Sequence, residues 1–306
     1  MQEKKKKTLL AKIYRMRALY LLLLIPALQL IVFHYAPFYG LIIAFKKFKY
    51  ADGIMGSSWV GLWHFDLLFN DVLFKRVFIN TIRISLSRIF LTFPLPIIFA
   101  LLLNEIRNTA FKKTVQTISY LPHFMSWVII GNFAQQLLSP EYGALNALLG
   151  VFGKNPIYFL GTKSMFLPIL LIAQTWQGLG WGSIIYLAAM SSVDPALYES
   201  AELDGANRVH KAIYITLPSI APIIVIQFIL RFSSVMSGGF DPIFNLYNGL
   251  TMEVADVIDT YSYRAGLIDA KYDYATAIGL FQNVIGLGMV ILVNKISQRV
   301  SDYGIW

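Results

Sequence analysis

Residues 199–218 read ESAELDGANRVHKAIYITLP, a polar stretch set between two long apolar ones. Just ahead of it, Asp194-Pro195-Ala196 is a helix-start signal. The Asp side chain can accept from the free N–H groups of a first turn, and Pro fits the first helical position. A short helix is predicted from about Pro195 to Leu203, and Gly205 permits the left-handed backbone that ends it. On that helix Ala196, Ser200 and Leu203 share one face, with Leu197, Ala201 and Asp204 on the adjacent one. The small side chains let another surface approach closely, while Glu199 and Glu202 offer charges to basic groups on it. By composition alone the stretch would pass for an amphipathic loop with a turn.

Its surroundings say more. The chain has 306 residues, 57% of them hydrophobic and 14% charged, with a mean hydropathy of +0.59. Soluble domains carry roughly 25% charged residues, so lipid must solvate the excess apolar surface. Windows 164–193 and 274–294 contain no charged residue, and 114–140 holds only His123. Crossing the hydrocarbon core takes roughly 20 apolar residues in a helix. We therefore expect an all-α polytopic membrane protein with six transmembrane helices, near 18–36, 78–104, 116–138, 165–190, 217–238 and 275–295. The second is the least regular, because Arg83 and Arg88 sit in its first half. Pro94, Pro96, Pro122, Pro168 and Pro222 fall within or beside spans, where neighbouring helices can accommodate them.

The net charge is +9. Much of it lies in Lys4, Lys5, Lys6, Lys7, Lys12, Arg15 and Arg17, directly against the first apolar run, as expected of a cytoplasmic membrane flank. No small-x-small cleavage site closes a short apolar region there, so an uncleaved anchor is expected rather than a signal peptide. Lys46, Lys47 and Lys49 in the first outer connection run against the charge bias, but the N-terminal cluster outweighs them. Six crossings from an inner N-terminus place 191–216 and the C-terminus in the cytoplasm. No basic, aromatic-interleaved platform suggests nucleic acid. Cysteine is absent, which excludes disulfides and thiolate metal sites. Gly161-Thr-Lys-Ser is only a fragment of a phosphate-binding loop. His34, His64, His123 and His210 are isolated from one another, without metal-ligand spacing. The chain is not expected to be an enzyme.

With topology set, the opening stretch fits a known pattern. Glu199, Ala201, Gly205, Ile215, Leu217 and Pro218 match E-A-A-x3-G-x9-I-x-L-P in identity and spacing, and Ser200 replaces one small residue with another. This resembles the EAA loop of ABC-importer permeases, and Phe78-Ile-Asn-Thr looks like the entry to their core. The Lys-rich start and the loop lengths are most similar to the oligosaccharide branch, which includes maltose-type importers, and within it to the lipoprotein or polysaccharide permeases. The resemblance implies a basic cytoplasmic N-terminus (1–17), a first helix with outer loop (18–77) and a permease core (78–306) with a cytoplasmic coupling helix in the docking loop 194–218. It implies ATPase coupling through Glu199, Ser200, Ala201, Glu202, Asp204, Gly205, Leu217 and Pro218. Also implied are a second homologous permease, an ATPase dimer that binds ATP and Mg, and an extracytoplasmic sugar-binding protein, all in a bacterial cytoplasmic membrane. The chain itself would hold no cofactor.

Polar side chains inside spans are expensive and usually have partners or a pathway to line. Gln174, Gln177 and Trp181 form one helical stripe, with Trp176 and Gly178 beside it; Gln227, Arg231 and Ser234 form another. Asn132, Gln135 and Gln136 make a third, and Gln282 and Asn283 are adjacent in the last span. Amides donate and accept at once, which suits hydroxyl-rich ligands, and indole faces suit the C–H face of a sugar. Amides also hold helices together in lipid, and for any single residue that role comes first. The stripes on the fourth and fifth spans are expected to share a cavity. Arg231 could snorkel outward, hold a partner permease or meet an anionic sugar, the first two being favoured. Rival readings are the same machinery with a non-sugar solute such as an amino acid, a secondary transporter, and a membrane anchor. A secondary transporter would need acidic residues in mid-span, and an anchor would leave the EAA spacing unexplained.

Overall fold

The structure, a computed structural model, describes residues 14–301 and Gly304. The cluster Lys4–Lys12 and the extreme C-terminus, both expected on the inner side, lie outside the described residues. The chain divides into two compact units. One comprises residues up to Leu67 with Ala265–Leu280, the other Leu68–Arg264 with Phe281 onward.

In the first unit, α1 (Arg17–Phe45) has none of its most apolar stretch buried by the rest of the chain, so that surface is left for lipid or a partner. A two-stranded antiparallel ribbon follows, pairing Lys46 with Trp59 and Lys47 with Ser58. His64 is buried there, its Nε2 3.0 Å from the Lys46 carbonyl and 3.6 Å from Asp273 Oδ2. The Phe48 N–H donates to the same carboxylate oxygen at 3.0 Å.

The second unit begins with α2 (Val72–Asn104), which Asp71 caps by accepting from Leu73 N at 2.8 Å. Next come α3 (Thr109–Tyr120), α4 (Trp127–Leu137), α5 (Ala144–Val151) and α6 (Lys163–Met190). They are followed by α7 (Pro195–Leu203), α8 (Arg208–Ser233), α9 (Phe240–Leu246), α10 (Met252–Ala255), α11 (Ile258–Tyr263) and α12 (Tyr272–Ser301), whose first turns belong to the other unit. One core packs Ile84 of α2, Phe166 and Leu170 of α6, and Ile243 and Leu246 of α9. A second packs Phe93, Ile97 and Ala100 against Tyr186, Met190 and Ile220.

By length and apolar composition, α1, α2, α8 and α12 are long enough to cross a membrane. α6 has the length, at 28 residues, but Gln174, Gln177 and its glycines dilute its hydropathy. The third expected span is not one helix. Pro122 sits in a 3₁₀ turn, Met125 and Ser126 are extended, and the Ser126 hydroxyl starts α4 by accepting from Ile129 N at 3.4 Å. Pro supplies no N–H and clashes with the preceding turn, which breaks the run. The fifth expected span begins earlier, since α8 is helical from Arg208, and ends at Ser233 instead of continuing to 238.

The connection after α8 carries structure of its own and is fastened to α2. Asn80 Nδ2 donates to the carbonyls of Glu253 at 2.9 Å and Asp256 at 3.1 Å, and Thr81 Oγ1 accepts from Ile258 N at 2.9 Å. The buried Asp256 carboxylate accepts from Thr260 Oγ1 at 2.6 Å and from both terminal nitrogens of Arg264. That partner raises the Arg264 pKa above its ordinary value. Removing one charge of a buried pair strands the other, at roughly 3–5 kcal/mol. Asp256→Asn is therefore expected to destabilise the protein by about 3 kcal/mol, read as a lower melting temperature in detergent. An unchanged melting temperature would show that the pair is dispensable.

Candidate functional site

The segment 194–218 is a capped short helix, a turn and the first turns of α8, cross-tied by side chains. Asp194 Oδ1 accepts from Ala196 N at 2.9 Å and Pro195 occupies the first helical position, as the residue types dictate. At the other end Gly205 has φ +77°. Ala206 N donates to Ala201 O at 2.8 Å and Gly205 N to Glu202 O at 3.1 Å, the paired bonds of a Schellman turn. Asn207 then caps α8 by accepting from His210 N at 2.9 Å. Two cross-ties hold α7 to α8: the Tyr198 hydroxyl bonds Thr216 Oγ1 at 2.9 Å, and Lys211 Nζ bonds Glu202 Oε1 at 2.5 Å. That lysine holds the Glu202 carboxyl below the usual carboxylate range by hydrogen bond and charge.

Tyr198 and Ala201 face inward, while Glu199, Ser200, Glu202, Asp204 and Gly205 are exposed. So are Leu197, Val209, Tyr214 and, at 90% of its surface, Leu203. Leu203 thus stands at the helix end with Glu199, Ser200, Glu202 and Asp204 exposed around it. Leu217 and Pro218 open the apolar part of α8, where Leu217 packs against the Tyr186–Met190 core.

The stripe on α6 is partly structural. Gln177 Nε2 donates to Met125 O at 3.3 Å, satisfying a carbonyl freed by the α3–α4 break. Gln174 Oε1 is buried without a partner among the described residues. Trp181, 48% exposed, stacks flat on His123 at 4.5 Å, and Trp176, 43% exposed, stacks on Phe133 at 6.2 Å. Asn132, Gln135, Gln136 and Asn283 are exposed, and Gln227 is half-buried. Gln282 Nε2 bonds Met236 O at 3.0 Å and Asp259 Oδ1 at 2.7 Å, tying α12 to the segment after α8 and to α11.

Arg231 lines a crevice with Ser85, Arg88 and Ile89 of α2 and with Ser234, while α8 also packs on α6 through Ile220 against Tyr186 and Met190. Arg88 donates to Gly238 O at 2.9 Å. Sequence reasoning noted Arg88 only as a blemish on an apolar helix; its signal was the expense of a guanidinium at mid-span.

The description "binding-protein-dependent transport system inner membrane component" belongs to a family model that matches residues 92–302. A similar relative is the polygalacturonan/rhamnogalacturonan transport system permease protein YteP of Bacillus subtilis (strain 168), 41% identical over 305 residues, covering 100% of this chain and 95% of that one. Among solved structures, a bacterial ABC transporter involved in import of the acidic polysaccharide alginate matches with a TM-score of 0.88 at 41% identity, covering 96% of this chain and 99% of that one. The alginate transporter in complex with an alginate pentasaccharide-bound periplasmic protein matches with a TM-score of 0.88 at 40% identity and the same coverage.

Proposed function

The chain belongs to the family of inner membrane components of binding-protein-dependent transport systems, and from that premise we propose that it is the permease subunit of an ATP-driven importer of an oligosaccharide. Carbohydrate cargo is supported by the relatives named for polygalacturonan and alginate, which match over nearly the full chain. A non-sugar cargo in the same machine has no such support.

The observation that carries the coupling mechanism is α7, capped at both ends and cross-tied to α8. A partner ATPase dimer, binding ATP and Mg, grips the exposed face around Leu203, Glu199 and Ser200. Closure of that dimer moves α7 as a lever, and the Tyr198–Thr216 and Glu202–Lys211 ties pass the motion into α8. The membrane helices then rock between outward and inward access against a second homologous permease. An extracytoplasmic binding protein delivers the sugar, which crosses without covalent change. Six crossings are made by α1, α2, the α3–α4 pair, α6, α8 and α12, with both termini inside.

The test is reconstitution in vesicles with a P-loop ATPase, the second permease and a binding protein, followed by uptake of labelled oligosaccharides. Uptake of amino acids but no saccharide would transfer the reading to the alternative cargo. The isolated chain is expected to hydrolyse no ATP, with activity arising only once the P-loop partner is added. Hydrolysis by the purified polypeptide, retained in a preparation free of other ATPases, would refute the division of labour.

A further inference from the structure

Two guanidiniums meet within the apolar part of the molecule. Arg88 sits at the midpoint of α2 and Arg231 in the last turn of α8, and their like charges oppose across the crevice they share. One carboxylate stands near Arg88, that of Asp259, but its oxygens are already engaged. Oδ2 accepts from Ser237 Oγ at 3.0 Å and Gly239 N at 3.1 Å, and Oδ1 from Gln282. The Arg231 guanidinium makes no ion pair or hydrogen bond among the described residues, and its side chain is exposed. Beside it the Ser85 hydroxyl is 3% exposed and has no partner among the described residues. A membrane protein thus holds two cations against one occupied anion, with a buried hydroxyl left over.

We propose that Ser85, Arg88, Arg231 and Ser234 form a carboxylate-binding station on the translocation path, and that the imported oligosaccharide is built of uronate residues. This rests on the reading of the chain as an oligosaccharide importer. The crevice has room for about one water-sized atom, so one carboxylate oxygen enters it while the rest of the carboxylate and the sugar ring stay at its mouth, beside the exposed Arg231. Guanidinium nitrogens match the two oxygens of a carboxylate in a fork geometry, and the Ser85 hydroxyl supplies a further donor. Arg231 at a helix C-terminus also complements the helix dipole, but Arg88 in mid-helix has no such reason to be there. Each uronate along the chain would in turn neutralise the pair, so the station would favour an anionic sugar over a neutral one.

The experiment uses the full importer in vesicles, with trigalacturonate and its methyl ester as matched anionic and neutral probes. Arg231→Gln is expected to lower trigalacturonate uptake about tenfold relative to the ester, and Arg231→Lys to recover most of that loss. Ser85→Ala, which removes only a hydroxyl, is expected to lower the same ratio about threefold. An equal fall for both sugars, or Lys no better than Gln, would overturn the station. So would a loss that tracks disappearance of the second permease from the purified complex, since Arg231 would then pair with an acid there. A wild-type importer that carries only neutral oligosaccharides defeats this inference and leaves the importer reading standing; one that carries no saccharide defeats the importer reading itself.

Discussion

Gly205→Val is expected to lower sugar uptake by the assembled importer about thirtyfold while leaving membrane insertion and complex assembly normal. The argument is one of backbone strain. Gly205 has φ +77°, and a Cβ built there meets nothing within 4 Å, so space is not the obstacle. A left-handed residue with a Cβ costs roughly 1–2 kcal/mol, and a β-branched one resists that region most. About 2 kcal/mol against the docking geometry corresponds to a factor of about 30 in its population. The turn fixes where Leu203 points and how α7 meets α8, through Ala206 N to Ala201 O. Uptake and sugar-stimulated ATPase activity should therefore fall together. Gly205→Asn should be much milder, because Asn tolerates the left-handed region. Unchanged uptake in the Val variant would make the turn incidental to coupling.

Local chemistry made the short helix and turn of 194–207 legible in the sequence alone. Asp194, Pro195 and Gly205 each act through their own backbone neighbourhood, and the structure uses all three as their types dictate. The apolar runs were legible for the same reason, though their internal form was not. Pro122 and Ser126 split the third run because a break is tolerable only where another element satisfies the freed carbonyl. That element is Gln177, fifty-two positions on in sequence. The pairing of Arg231 with Arg88 was hidden in the same way. Each residue could be weighed singly as an intramembrane charge, but the register that brings α8 against α2 comes from tertiary packing. Periodicity grouped Arg231 with Gln227 and Ser234, and the structure adds Ser85, Arg88 and Ile89 of α2 as neighbours of that stripe. Stripes identify a face, and only packing tells which neighbour the face meets.

The packing of α6 yields the sharpest test of that point, because two glycines of one helix are expected to respond to the same substitution with opposite signs. A Cβ on Gly180 would lie 2.2 Å from Ser119 O and 2.4 Å from Ser119 C, backbone atoms of α3 that cannot rotate away. A Cβ on Gly178 would meet nothing within 4 Å. Close backbone approach at small residues is how membrane helices gain packing energy. Gly180→Ala must therefore push α3 and α6 apart by more than 1 Å to reach ordinary contact, at about 3 kcal/mol for overpacking of this kind. Gly178→Ala keeps the packing and replaces the most flexible residue by the best helix former, a gain of up to about 1 kcal/mol. Thermal unfolding of the purified complex in detergent should place the Gly180 variant well below the wild type and the Gly178 variant at or above it. Gly180→Ala should also reduce assembled complex, whereas Gly205→Val should not, which separates a packing defect from a coupling one. Equal melting temperatures for the two α6 variants would mean that α3 does not seat on Gly180. The α3–α4 break, held by Gln177 one turn away, would then need another support.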